Sequence, residues 1–250
     1  MRLPETAASF FMSVLRILIV LIFLNPCPAF AQPGYGPEIG IGLSSMHFAP
    51  AAGFTSASGS PIASGRIGGI ADFGLNRHFY LQAGLFLSRK GQTRDFSFYT
   101  NDSLNESVHQ TLTINYLDIP VNLFYKTGFQ GKGRFFFGLG VTPSYIIGGE
   151  NKFQAKGVSA GTPFVINHDS KIVAGNPVAM FDIGMNLSAG YELATGLFFR
   201  AYYTSGVKDI GLGGEVDKNR MWGISAGYIF GKGRNINKEA DELIDKTTNQ

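Results

Sequence analysis

One pattern dominates this chain and limits what it can fold into. Stretches of about ten residues alternate strictly between apolar and small or polar side chains, and turn residues separate them. Alternation with a period of two is the signature of a strand whose two faces meet different environments. The clearest case is 177–192, where Phe181, Ile183, Met185, Leu187, Ala189 and Tyr191 oppose Asp182, Gly184, Asn186, Ser188, Gly190 and Glu192. The same pattern runs through 38–48, 66–75, 79–91, 112–125, 134–147, 196–205 and 220–230, which predicts eight strands. In 112–125 the early residues Leu112 and Ile114 have the opposite parity to Leu117 and Ile119, which predicts a bulge near Asn115.

The spacing between the segments adds a second constraint. Connections alternate between long polar stretches (49–65, 92–111, 148–176 and 206–219) and short ones (76–78, 126–133 and 194–196). Long loops at one end and tight turns at the other are how transmembrane β-barrels are built. Composition supports the same reading. The chain holds 33 Gly, 22 Phe and 10 Tyr with only 16% charged residues, against roughly 25% in an ordinary soluble domain. Past residue 31 no apolar run reaches the ~20 residues of a spanning helix. The expected fold is therefore all-β: an eight-stranded antiparallel up-and-down transmembrane barrel, with both termini on the periplasmic side.

The first 31 residues read as an export signal. Arg2 and Arg16 precede the apolar core 17–24 (ILIVLIFL), and Ala29-Phe30-Ala31 supplies a small-x-small cleavage pattern, placing the cut between Ala31 and Gln32. A lipoprotein site would use Cys27, but Asn25 and Pro26 stand where such sites take small residues. The expected organisation is a signal peptide over 1–31, a barrel domain over 32–230 and a polar tail over 231–250. Cleavage leaves no cysteine, and so no disulfide or cysteine-based metal site. It also leaves 19 basic and 17 acidic residues, a balance without a nucleic-acid footprint.

An eight-stranded barrel is just wide enough for side chains to fill it. The inward set is expected to include Arg66, Asp72, Gln82, Asp118, Asn122, Asp182, Asn186, Glu192 and Arg200. Buried charges must pair, and Asp72, Asp118 and Asp182 are the candidate partners of Arg66 and Arg200. Tyr35, Tyr80, Tyr125, Tyr145, Tyr191, Tyr203, Trp222 and Tyr228 stand mostly near strand ends, where interfacial aromatic girdles sit.

Four stretches resemble the PorT-like outer-membrane β-barrel family of Bacteroidetes: 80–91 (YLQAGLFLSRKG), 116–124 (YLDIPVNLF), 136–145 (FFGLGVTPSY) and 181–191 (FDIGMNLSAGY), with the closing Tyr228-x-Phe230. The resemblance covers about residues 36–230, and its most specific part is 116–121 (YLDIPV). It implies an eight-stranded barrel in the outer membrane, with assistance to protein secretion as one role known in the family. The tail after Phe230 departs from the usual ending, in which an aromatic-terminated strand closes the chain.

Chemistry-bearing patterns are sparse. His47, His78, His109 and His168 share no metal-ligand spacing, and Gly40-x-Gly42 and Gly138-x-Gly140 lack the third glycine of a dinucleotide fingerprint. No cofactor is expected. Asp102-Ser103-Leu104 matches a three-residue O-glycosylation pattern. The expected function is a non-enzymatic outer-membrane barrel, structural or partner-binding through its loops or periplasmic face, in contact with membrane lipid and with the insertion machinery during assembly. The alternatives are a lipid-modifying hydrolase using His109 or His168, and a narrow channel.

Overall fold

Each alternating segment becomes a strand because a pleated backbone sends successive side chains to opposite faces. The computed structural model describes residues 33–47, 56–100, 104–128, 133–159, 162–172, 181–207 and 218–231. The expected leader with Ala29, Ala31 and Gln32, Asp102-Ser103, the tail after Gly231 and most of 206–219 lie outside the described residues. The described chain is all strand and turn: β1 (Gly34–His47), β2 (Ser56–Gly74), β3 (Phe79–Thr100), β4 (Leu104–Asp118), β5 (Val121–Lys126), β6 (Gly133–Ser159), β7 (Thr162–Ile172), β8 (Phe181–Leu193), β9 (Leu197–Gly206) and β10 (Lys218–Tyr228).

Every pairing is antiparallel. β1 pairs with β2, β2 with β3, and β3 with both β4 and β5; these two pair in turn with β6. β6 pairs with β8, β8 with β9 and β9 with β10, which pairs back with β1 from Glu38↔Gly227 to His47↔Lys218. β7 stands off this path and pairs with β6.

Two faces result, and they are opposite in character. Ile41, Leu139, Leu187 and Ile224 are between 63% and 66% exposed. They belong to a row of outward Ile, Leu, Phe and Met on β1, β2, β3, β5, β6, β8, β9 and β10. Soluble monomers rarely show contiguous apolar patches beyond a few hundred Å², so this face needs a lipid environment. The opposite face is buried and carries most of the polar and charged side chains.

At the short-turn end, Asn76 Oδ1 accepts hydrogen bonds from the backbone N–H groups of His78 and Phe79, both at 2.9 Å. Gly196, with φ of 102°, closes the β8–β9 turn through a 2.9 Å bond from its N–H to Leu193 O. That left-handed backbone is one that glycine adopts without steric cost.

Four expectations need correction. First, segment 112–125 is two strands, because Pro120 has no N–H to donate to a ladder. Bonds from Gly84 N to Pro120 O (2.9 Å) and from Ile119 N to Pro143 O (2.8 Å) carry the pairing across the break. Second, much of the expected loops 49–65, 92–111 and 148–176 is strand: β2 begins at Ser56, β3 and β4 leave only 101–103 between them, and β6 and β7 form an added hairpin. Past the apolar band β7 meets water on both faces, and the buried face of β3 takes the polar Gln92 and Arg94, so apolar alternation fades while the backbone ladder continues. Third, Lys126 is the last residue of β5 and is buried.

The fourth concerns the bulge. The register does shift between Asn115 and Tyr116, but the extra residue is Ile147 in β6. Leu112 and Ile114 keep the parity of Tyr116 and Asp118 and are buried with Met46 and Ile146.

Candidate functional site

The buried face gathers its charges from strands far apart in sequence, because inward positions recur every second residue on each strand. Glu38 on β1 lies at the centre of one network. It accepts hydrogen bonds from Arg66 and from Ser225 Oγ (2.7 Å), and Arg200 Nη1 lies 3.2 Å from its other oxygen. Arg200 also donates to Gln82 Oε1 at 2.7 Å, and Gln82 donates to Asp72 Oδ1 at 3.3 Å. Asp72 accepts from Lys126, whose ammonium donates again to Glu192 Oε2 at 3.0 Å. Arg134 grips both Glu192 oxygens, at 2.9 and 3.1 Å, and donates to Tyr80 OH at 3.1 Å. The chain of contacts from Arg66 to Tyr80 is unbroken. It holds four cations against three carboxylates.

Aromatic rings fill the space between these charges. The Arg66 guanidinium lies 3.7 Å from the Tyr202 ring centroid and 4.9 Å from that of Phe86. Arg200 sits 5.0 Å from Phe124 and 5.1 Å from Phe198. Delocalised guanidinium suits this packing because it is weakly hydrated and stacks on ring faces.

Two smaller networks complete the face. Asn186 donates to Asn122 Oδ1 at 3.2 Å and to Thr142 Oγ1, and accepts from Thr204 at 2.8 Å. Asp118 accepts from Lys90 (3.0 Å) and Ser88 (2.6 Å), while Asn219 bridges Tyr116 OH (2.8 Å) and Asp182 Oδ2 (2.9 Å).

All nine residues named from the sequence thus engage in these networks, but not in the pairs expected. Arg66 and Arg200 both meet Glu38, while Asp72, Asp118 and Asp182 meet Lys126, Lys90 and Asn219. Glu38, Lys90, Lys126, Arg134 and Asn219 were missing from the expected set. Glu38, Lys90 and Arg134 have the parity of inward neighbours on their own strands, and that was the available signal. Tyr80, expected in the aromatic girdle, is buried at the Arg134 guanidinium; its parity with Gln82 was the clue.

Beyond the apolar band, β2, β3, β4, β6 and β7 continue as a projecting sheet. β7 is exposed along nearly all its length and carries His168 and Asp169. His109 Nδ1 lies 2.6 Å from Asp95 Oδ1 on this sheet, with both side chains more than half exposed. Among the described residues no three His, Cys, Asp or Glu side chains form a metal-holding group.

A family model described as outer membrane protein beta-barrel domain matches residues 30–212. Among solved structures, the attachment invasion locus protein of Yersinia pestis is similar at 12% identity, over 80% of this chain and 100% of that one, with a TM-score of 0.37. Neisserial surface protein A gives the same four values. The outer membrane enzyme PagL is similar at 12% identity over 79% and 99% of the two chains, with a TM-score of 0.35. No curated protein sequence matches. The family match spans well over half of the 250 residues, and the apolar exposed face and antiparallel ladder are what that family requires: this chain belongs to the outer membrane β-barrel protein family, and its place is the outer membrane.

Proposed function

We propose that the chain is an eight-stranded barrel with a filled interior, a non-enzymatic anchor that presents its projecting sheet to a partner outside the cell. In this reading β4 and β5 count as one wall strand and β7 is an addition beyond the wall. The leader 1–31, cleaved before Gln32, delivers the protein, and an even number of wall strands leaves both termini in the periplasm. The resemblance to PorT-like barrels supports assistance to protein secretion as one form of this role.

The observation that carries the reading is the projecting sheet. Four strands continue as paired ladders past the apolar band, and β7, paired with β6, offers a second edge with no partner among the described residues. An open strand edge is a template for pairing with another chain. Two features favour this over the alternatives. The buried charges are tied to one another across the barrel, which argues against a continuous water path. The exposed His109–Asp95 pair has no serine hydroxyl bonded to its imidazole among the described residues, which argues against a serine hydrolase.

Loss of the leader removes Cys27, the chain's one cysteine, so single introduced cysteines report cleanly. Val165→Cys on β7 should react with a membrane-impermeant maleimide on intact cells, and Arg77→Cys at the short-turn end should not. A crosslinker on Val165→Cys should yield one discrete adduct, absent from Arg77→Cys. Planar bilayers should show no steady current. Steady open-pore currents, or labelling of Arg77→Cys alone, would overturn the reading.

A further inference from the structure

The wall between β2 and β3 has a seam. Their ladder runs in register up to Pro61↔Gln92 and resumes at Gly65↔Arg89, leaving three residues of β2 against two of β3. Such a bulge pushes the longer strand out of the sheet, and the structure shows how the vacated ladder positions are satisfied. Ser44, from β1, accepts a hydrogen bond from Gly91 N (2.8 Å) and donates to Gly91 O (2.9 Å). On the other side, Ile62 packs over Gly91, its Cδ1 2.8 Å from where a Cβ would stand.

An open surface groove of about 940 Å³ lies at this seam. Its apolar part is the exposed face of Ile39, Ile41, Ile67 and Leu87, within the lipid-facing band. Beyond them the lining includes Arg89, which follows Leu87 on the same face of β3 and is the first charged residue past the apolar run, with Thr113 and Thr111 farther along. Arg89 is exposed and has no acidic partner among the described residues. The described lining contains two arginines and no carboxylate. Ser64, about nine-tenths buried, lines the same groove with an Oγ that has no hydrogen-bond partner among the described residues.

We infer that this seam binds a phosphate-bearing anionic lipid of the surrounding leaflet, with an acyl chain along Ile39, Ile41, Ile67 and Leu87 and the phosphate at Arg89. The position decides the occupant. An apolar groove inside the lipid-facing band is filled by acyl chain, and a cation at its water-side end selects the headgroup. Arginine suits the task because its planar fork makes two hydrogen bonds to a phosphate.

The test is native mass spectrometry of the folded, detergent-purified barrel with phosphatidylglycerol, diacylglycerol or soluble glycerol phosphate. Phosphatidylglycerol should give a defined one-lipid adduct, at least about tenfold more occupied than with diacylglycerol, which has the acyl chains but no phosphate, as loss of charge-assisted hydrogen bonds implies. Arg89→Gln should lower that occupancy about tenfold, while Lys218→Gln, on β10 outside the groove, should leave it unchanged. Glycerol phosphate should not compete. In the wild-type chain, phosphatidylglycerol with a photoreactive acyl chain should label peptides containing 39–41, 62–67 or 85–89. Equal binding of the two lipids, an equal effect of Lys218→Gln, competition by glycerol phosphate, or labelling confined to other strands would each overturn the proposal.

Discussion

Replacing Glu38 by glutamine should be among the costliest conservative changes in this protein. The Glu38 side chain is 0% exposed and serves two guanidinium groups, those of Arg66 and Arg200. Glutamine preserves shape and volume, so neither a cavity nor a clash contributes; what is lost is one of three carboxylates facing four cations in the Arg66–Tyr80 network. Removing one partner of a buried ion pair costs about 3–5 kcal/mol because the other charge is left uncompensated. The ring contacts of Arg66 and Arg200 exist in both variants and cancel. The glutamine oxygen still accepts a hydrogen bond, worth about 1 kcal/mol, which leaves about 2–4 kcal/mol of destabilisation.

That range corresponds to between roughly 30-fold and 700-fold in the unfolding equilibrium. It can be read by urea titration from lipid vesicles, using Trp222, the only tryptophan, and gel mobility with and without heating. Asp95→Asn provides the comparison, since it alters a 2.6 Å contact with His109 whose side chains are 55% and 53% exposed. Exposed pairs contribute about 0–1 kcal/mol, so this variant should unfold close to wild type. If Glu38→Gln lies within about 0.5 kcal/mol of wild type, or Asp95→Asn costs as much, the buried network is not what holds these strands together.

Gly36→Ala should abolish the heat-modifiable folded band, because a Cβ there would lie 1.6 Å from Tyr228 O, and backbone at the β1–β10 junction cannot yield without opening the ladder. Recovery of the folded band from that variant would refute the pairing described. Leu139→Arg should cost about 2–4 kcal/mol in vesicle unfolding, as charge on a lipid-facing position does, whereas Val165→Arg on β7 should change stability by less than about 0.5 kcal/mol. Similar costs at the two positions would mean that the apolar band and the projecting sheet do not occupy different solvents.

Period-two alternation was enough to read the wall. Ile39, Leu139 and Leu187 on one face, and Asp72, Asn186 and Glu192 on the other, fall where their parity puts them. Alternation failed where its cause was absent. In β7 both faces are solvated, and in 92–95 the buried face takes polar Gln92 and Arg94 while the other carries Thr93 and Asp95, so neither stretch shows an apolar row and paired strands read as polar loops. Leu112 and Ile114 misled for another reason. Their parity predicts a bulge in their own strand, but they pack on the buried face with Met46 and Ile146, and the extra residue is Ile147 of β6.

Which face each side chain takes is a local property, set by the pleat and legible from a residue and its immediate neighbours. Which charge meets which is not. Glu38 reaches Arg66 across 28 positions and Arg200 across 162, and only the order and stagger of the strands bring them to one place. The same holds for the β2–β3 seam, where Ser44 replaces a missing ladder partner 47 residues away. Alone, the sequence determined that these strands have one lipid-facing side and one polar side, because solvent preference belongs to each residue. The ion pairs, the seam and the projecting sheet were decided by the tertiary structure, because each depends on distances between strands that no local pattern encodes.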